Sequence, residues 1–275
     1  MNKISNDDAN LFSVKNKVIA IIGATGILGE QYVDFLSGKG AKIIMGDIDY
    51  DKCKNLSKKL NSIGRTTFPL FVDNASQPSI ENFFNEIVKE FKSLDVLINN
   101  AQVKPKRFYS PFEDYDMDTL NEVLCGNLSG VVISSKEACK IFQQNGSGVI
   151  VNIGSIYGVV APDQRIYSNT ENIYFPGEKF SSPVSYAISK AGIVQLTKYL
   201  SSYYREKSIR VNCLTPGGVF DSHDVDFVNQ YSKRTTLGRM AEKNEYNGAI
   251  LFLCSEASAY MNGANLIIDG GISSI

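Results

Sequence analysis

Short apolar runs recur along the chain, and a longer segment with helical spacing follows most of them. The runs are VIAIIG (18–23), KIIMGD (42–47), TFPLFVD (67–73), DVLINNA (95–101), GVIVNIGS (148–155), IRVNCLTPG (209–217) and NLIIDGG (265–271). They are β-branched and continuous rather than alternating, as expected of strands covered on both faces of a parallel sheet. Between them the period changes. In 29–40 Tyr32, Val33 and Leu36 share a face, and Gly38 and Gly40 mark the stop. In 79–91 Ile80, Phe83, Phe84, Ile87, Val88 and Phe91 form one stripe. A third helical segment runs from Met117 to about Phe142. This alternation predicts an α/β fold, with about seven parallel strands in one doubly wound sheet and helices on both faces. No repeat or linker divides the chain. Residues 1–12 read as a flexible polar lead and 13–275 as one domain.

Composition narrows the function classes. A net charge of −1 gives no electrostatic reason to expect nucleic acid or an anionic membrane as partner. No apolar run is long enough to span a bilayer, and the N-terminus lacks a signal-peptide core, so a cytoplasmic protein is expected. The five cysteines are scattered, four of them in apolar segments, and read as reduced core residues. With His223 as the sole histidine, no metal is expected.

The first strand leads into G-A-T-G-I-L-G, with Gly23, Gly26 and Gly29. Glycines there permit a tight turn, close approach of a pyrophosphate and close packing of the next helix, the mark of a Rossmann domain. The helix N-terminus then offers free N–H groups and a favourable dipole to the phosphates. Asp47 ends the second strand, where a carboxylate accepts hydrogen bonds from a ribose and repels a 2′-phosphate; this favours NAD over NADP.

Further motifs follow in order. Asn99-Asn100-Ala101 ends the fourth strand, Asn127 lies in GNLSG, Ser155 ends the fifth strand, and Tyr186 and Lys190 open the next helix. Pro216-Gly217 follows the sixth strand and Asp269-Gly270-Gly271 the last. From about Lys15 to Ile272 the chain resembles the short-chain dehydrogenase/reductase family. That resemblance implies an NAD-dependent oxidoreductase with catalytic roles for Asn127, Ser155, Tyr186 and Lys190. It implies a cofactor site of Gly23, Thr25, Gly26, Ile27, Leu28, Gly29, Asp47, Ile48, Asp73, Asn74, Asn100, Ala101, Tyr186, Lys190, Pro216, Gly217 and Val219. It also implies a homotetramer or homodimer.

The chemistry suits these residues. Oxidising an alcohol requires removal of the hydroxyl proton as hydride leaves carbon. A free tyrosine is only ~0.1% ionised at pH 7. A spacing of four puts Lys190 on the same helix face as Tyr186, where an ammonium favours the phenolate. Tyr186 is thus the expected general base, or acid in reverse. Ser155 would hydrogen-bond the substrate oxygen, and Asn127 would support a proton relay to Lys190.

The chain departs from the family in places. Its glycine spacing resembles the extended branch, which includes sugar epimerases and dehydratases, although too few residues follow Lys190 for that branch's substrate domain. Ile22 and Gln102 stand where threonine and glycine are common, and GVFD after Pro216-Gly217 lacks the usual threonine. The link from Ser155 to Tyr186 is long and polar-aromatic, and the stretch at about 157–183 reads as a loop over the active site. In it Arg165, Tyr167, Tyr174 and Lys179 are candidate substrate contacts, with a surface or subunit contact as the alternative. A second wall is expected at 218–240, with Asp221, His223, Asp224 and Asp226. The abundance of hydrogen-bonding groups in both suits a sugar. The loop, PDQRIY and TTLGRM together resemble a subgroup of surface-glycan sugar oxidoreductases that includes flagellin modification protein A, linked to legionaminic-acid-type sugars. A sugar epimerase or dehydratase that recycles NAD internally and a non-catalytic NAD-binding regulator are the competing expectations.

Overall fold

The computed structural model describes residues 10–168, 170–172 and 174–274. Its strands are β1 (Val18–Ile22), β2 (Lys42–Asp47), β3 (Thr66–Phe71), β4 (Val96–Asn99), β5 (Gly148–Ile153), β6 (Ile209–Pro216) and β7 (Asn265–Ile268). All pair in parallel, in the order β3-β2-β1-β4-β5-β6-β7. The order reverses between β1 and β4, so a crevice opens at their carboxyl ends, the place where such sheets bind ligands. The helices are α1 (Ile27–Gly38), α2 (Tyr50–Ser62), α3 (Gln77–Phe91), α4 (Met117–Leu124), α5 (Gly130–Asn145), α6 (Val184–Tyr203), α7 (Val225–Ser232) and α8 (Asn247–Cys254). No helix among the described residues is long and apolar enough to cross a membrane.

The continuous strand runs work by alternation between two cores. Ile19 and Ile21 pack with Tyr32, Leu36, Ile250 and Leu253 beneath α1 and α8. Ala20 and Ile22 pack on the other face with Ile80, Phe83, Ile87 and Phe142 from α3 and α5. Each strand side chain is therefore buried whichever way it points, which is why no polar residue interrupts β1. Pro69 is tolerated because β3 is an edge strand.

A polar thread crosses the middle of this apolar sheet. Asn99 Nδ2 donates to Asn152 Oδ1 at 2.9 Å between paired residues of β4 and β5. Asn152 Nδ2 donates to Thr197 of α6 at 3.0 Å, and Ser134 of α5 donates to Asn99 Oδ1 at 2.8 Å. All four residues are buried and their hydrogen bonds are satisfied within the thread.

Two expectations change. Residues 1–9 of the supposed lead lie outside the described residues, but Leu11 and Phe12 are anchored. The Leu11 carbonyl accepts from Ala257 N at 2.9 Å, and Phe12 packs on Phe252 of α8. The helix expected from Met117 to about Phe142 is broken by a π turn, Cys125–Ser129, between α4 and α5. The wider turn presses Asn127 inward, where its Oδ1 accepts from Val103 N at 2.6 Å.

Candidate active site

The first turn follows from its glycines. Gly23 has φ +83°, and a Cβ there would lie 2.6 Å from the Ala101 backbone, so only glycine lets β1 exit beside β4. At Gly29 a Cβ would meet the Gly23 carbonyl at 2.1 Å, so this glycine serves the packing of α1 on the turn. Gly26 differs: its nearest neighbour would be 3.5 Å away, an ordinary contact. The protein does not need glycine there for its own packing. The bare backbone faces the cleft at the N-terminus of α1, whose first N–H groups have no intrahelical partner. The residues therefore fit a dinucleotide phosphate.

That cleft has a volume of about 530 Å³ and runs over the carboxyl ends of the strands. At one end Asp47 Oδ2 accepts from Thr25 N at 2.9 Å and Oδ1 from Asp49 N at 3.1 Å. These backbone donors hold the carboxylate at the cleft edge. Thr25, Ile27, Leu28, Ile48, Asp73, Asn74, Asn100, Ala101, Pro216, Gly217 and Val219 line the same space, with Gly23 and Gly26. Asn100 Nδ2 donates to the Gly23 carbonyl at 2.7 Å and so ties the β4 end to the turn. Gly29 alone of the expected cofactor residues does not line the cleft, since its place is under α1.

Ser155, Tyr186 and Lys190 meet on the cleft's inner wall. Ser155 follows β5 and its Oγ accepts from Tyr157 N at 3.2 Å. Tyr186 and Lys190 lie in the first turns of α6, one helical turn apart. Lys190 is buried, donates to the Ile153 carbonyl at 2.8 Å, and sits 5.7 Å from the Tyr186 ring centroid. Burial pushes the Tyr186 phenol up, against a hydrogen bond with Ser155 that lowers it. Burial also pulls Lys190 down to about 8. Desolvation is the largest cause of both shifts. Asn127 does not reach the cleft. It is fully buried in the π turn, and its Nδ2 has no hydrogen-bond partner among the described residues.

The half of the cleft beyond Tyr186 is largely aromatic. Phe108, Tyr109, Tyr157, Tyr167, Tyr174, Phe180, Phe227, Tyr231 and Met240 line it, with His223 and Lys104. Tyr109 stacks on Tyr174 at 5.2 Å, and Phe108 packs edge-on against Tyr186 at 6.3 Å. The long loop is clamped at its base, where Gln164 exchanges hydrogen bonds with the Ser182 backbone at 3.0 and 3.2 Å. α7 supplies the facing wall.

The polar candidates divide. Tyr167, Tyr174 and His223 line the cleft, whereas Arg165, Lys179, Asp221, Asp224 and Asp226 do not. Arg165 is surface-exposed and paired with Asp163. Asp221 pairs with Lys243, and Asp224 caps α7 through Asp226 N and Phe227 N. These charges stay at the surface because hydration and local pairing cost less than burial in an aromatic cleft. The hydrogen-bonding groups that sequence composition offered to a sugar are therefore mostly elsewhere, and tyrosine hydroxyls take their place. No local sequence pattern marks Lys104, Phe108, Tyr109, Tyr157, Phe180, Tyr231 or Met240.

A family model for short chain dehydrogenase matches residues 17–170, more than half of the chain. The chain belongs to the short-chain dehydrogenase/reductase family. A second model, described as Enoyl-(Acyl carrier protein) reductase, matches residues 175–273. As a short-chain dehydrogenase/reductase the protein is an oxidoreductase, and its Rossmann fold is one that binds a nicotinamide cofactor.

Relatives within the family differ in their named activities. A trans-4-hydroxycyclohexanecarboxylate dehydrogenase of Sinomonas cyclohexanicum is 32% identical, covering 94% of this chain and 93% of its own. The post-translational flagellin modification protein A of Campylobacter coli is 28% identical, covering 94% and 98%. A 7alpha-hydroxysteroid dehydrogenase of Bacteroides fragilis is also 28% identical, covering 94% and 95%. Among solved structures, a short chain dehydrogenase from Leptospira borgpetersenii with bound NAD⁺ is 34% identical, with TM-score 0.78 over 94% of this chain and 93% of that one. A gluconate 5-dehydrogenase from Burkholderia cenocepacia in complex with NADP and tartrate has TM-score 0.85 over 97% and 98%; at 24% identity it bears on the fold alone.

Proposed function

We propose that this short-chain dehydrogenase/reductase uses NAD(H) to interconvert a secondary hydroxyl and a ketone on a sugar-type ring, in the making of a surface glycan. The observation that carries the reading is the meeting of Ser155, Tyr186 and Lys190 on the wall of a cleft whose far end is held by the glycine turn and Asp47. Asp47 supports NAD over NADP, because a carboxylate fixed at that edge repels a 2′-phosphate. Aromatic faces with hydroxyl tips suit a ring that is apolar on its faces and polar at its rim. The likeness to flagellin modification protein A supports a glycan role.

When bound, the nicotinamide accepts or supplies hydride at the substrate carbon. Tyr186 Oη takes the hydroxyl proton in oxidation and returns it to the ketone oxygen in reduction. Ser155 Oγ donates to that oxygen and stabilises its developing charge. Lys190 supplies a cation beneath the Tyr186 ring, and Asn127, with a free Nδ2 hydrogen in the π turn, supports the proton path behind it. A homodimer or homotetramer is part of this proposal. Met117, Ile188, Tyr199 and Tyr203 leave exposed apolar surface on α4 and α6, as an assembly would use. A cytoplasmic setting, where nicotinamides are supplied, completes it.

The test is cofactor turnover against hexose phosphates, nucleotide sugars and nonulosonates with their keto forms. NADH fluorescence should report net redox change that is absent in Tyr186→Phe. Tight NADH binding without net change on any substrate would favour an internally recycling epimerase or a regulator instead.

A further inference from the structure

The charges that line the cleft are sorted by sign. Its two carboxylates, Asp47 and Asp73, stand at the carboxyl ends of β2 and β3. Its two cations, Lys104 and Lys190, stand on the other side, towards the aromatic half. Lys190 is engaged with the Ile153 carbonyl. Lys104 is not engaged: among the described residues it has no hydrogen bond or ion pair. Its Nζ lies over the Tyr174 ring at 4.4 Å, where a cation–π contact orients it without neutralising it.

We propose that Lys104, Tyr174 and His223 form an anion subsite that holds a carboxylate of the substrate, while its hydroxyl-bearing carbon faces Tyr186. This rests on the dehydrogenase reading and narrows its substrate class to hydroxy acids, such as sugar acids. Four observations support it. Partial desolvation at the cleft wall lowers the Lys104 pKa, opposed by Asp221, while the residue stays exposed. Asp221 is itself committed to Lys243 at 2.6 Å. Lys104 is exposed to the solvent of the cleft, so its charge stays available to a ligand there. Third, His223 Nδ1 accepts from Asp221 N at 3.1 Å, which leaves the proton on Nε2. Nε2 then donates to the Tyr174 hydroxyl oxygen at 3.3 Å, which leaves the phenol O–H free to donate to a ligand. Last, Lys104 leads to Tyr186 through contiguous rings: Tyr174 on Tyr109, Tyr109 on Phe108, Phe108 on Tyr186.

The experiment is calorimetric titration of the NADH-loaded protein with cyclohexanecarboxylate, cyclohexanecarboxamide and cyclohexyl phosphate. Wild type should prefer the carboxylate over the amide by about tenfold or more, the strength of one charge-assisted hydrogen bond. Lys104→Met should abolish the preference and Lys104→Arg should keep it, with NADH affinity unchanged in both. Equal binding of carboxylate and amide, or a preference that survives in Lys104→Met, overturns the proposal. Phosphate binding tenfold above carboxylate overturns it in favour of a sugar phosphate. Because the readout is binding, a Lys104-dependent preference without turnover of any hydroxy acid leaves the anion subsite standing and overturns the hydroxy-acid substrate class.

Discussion

Arg234 Nε donates to Asp163 Oδ2 at 2.6 Å, and this pair ties the long loop after β5 to the segment following α7. The same carboxylate takes Arg165, and both guanidinium groups hold it well below the usual carboxylate range. Asp163→Ala should loosen the two walls of the substrate cleft together. We expect KM for the substrate to rise several-fold with kcat less affected, and faster amide exchange across residues 164–182. Unchanged exchange there would show that the Gln164–Ser182 clamp alone fixes the loop.

Lys190 should titrate near 8 in the free protein, and the sign of its effect on stability is set by that depression. A lysine that folds with a lowered pKa is bound to fewer protons in the native state than in the unfolded one. The charged form is disfavoured fully below pH 8, and this cost fades as pH rises towards the unfolded value near 10.4. Lys190→Met should therefore gain in Tm relative to wild type at pH 7, by more than at pH 9.5. Turnover should fall by about a hundredfold or more, the range of a lost acid–base partner. Thermal melts of both proteins across that range are the check.

Asp47 offers the simplest change of cofactor preference. Asp47→Ser removes the charge and leaves a short acceptor for Thr25 N. NAD⁺ affinity should fall and NADP⁺ affinity rise, each by about tenfold, or 1.4 kcal/mol. Binding titrations with both cofactors decide it. A wild type that already prefers NADP⁺ would remove the assignment of Asp47.

Gly26 and Gly29 are three apart, yet they should fail differently. Gly29→Ala drives a methyl into the Gly23 carbonyl and should cost about 1–3 kcal/mol in stability. Gly26→Ala meets nothing closer than an ordinary contact, so Tm should hold while cofactor affinity drops. Melts and NADH titrations of the two variants separate packing from binding.

The parts of this site that the sequence discloses are those carried by strand ends. A strand buried on both faces must end in a polar or glycine residue where the chain leaves the sheet. Gly23, Asp47, Asn100 and Ser155 stand out against apolar neighbours for that reason. Tyr186 and Lys190 stand out through helical spacing. The substrate half has no such background. Lys104 sits in VKPKR, where three cations within four residues look equally solvated, and only the approach of Tyr174 from seventy residues away (174 − 104) distinguishes it. Arg165 and Lys179 misled for the converse reason: a charged residue in an active-site loop is free to turn outward. Tyr109, Phe180 and Tyr231 come from three separate irregular or short segments whose convergence no local period records.

The Asn99–Asn152 hydrogen bond gives the sheet a key. Apolar strands buried on both faces pack nearly as well after sliding by two residues, since every position presents another branched hydrocarbon. One amide pair in the middle removes that degeneracy, because any slide breaks the bond between Asn99 and Asn152 in a dry interior. The alignment that satisfies the pair also brings the ends of β4 and β5, and so Asn100 and Ser155, to a common level. A contact some distance below the cleft thus selects, among near-equal arrangements of the chain, the one in which the reacting groups face each other.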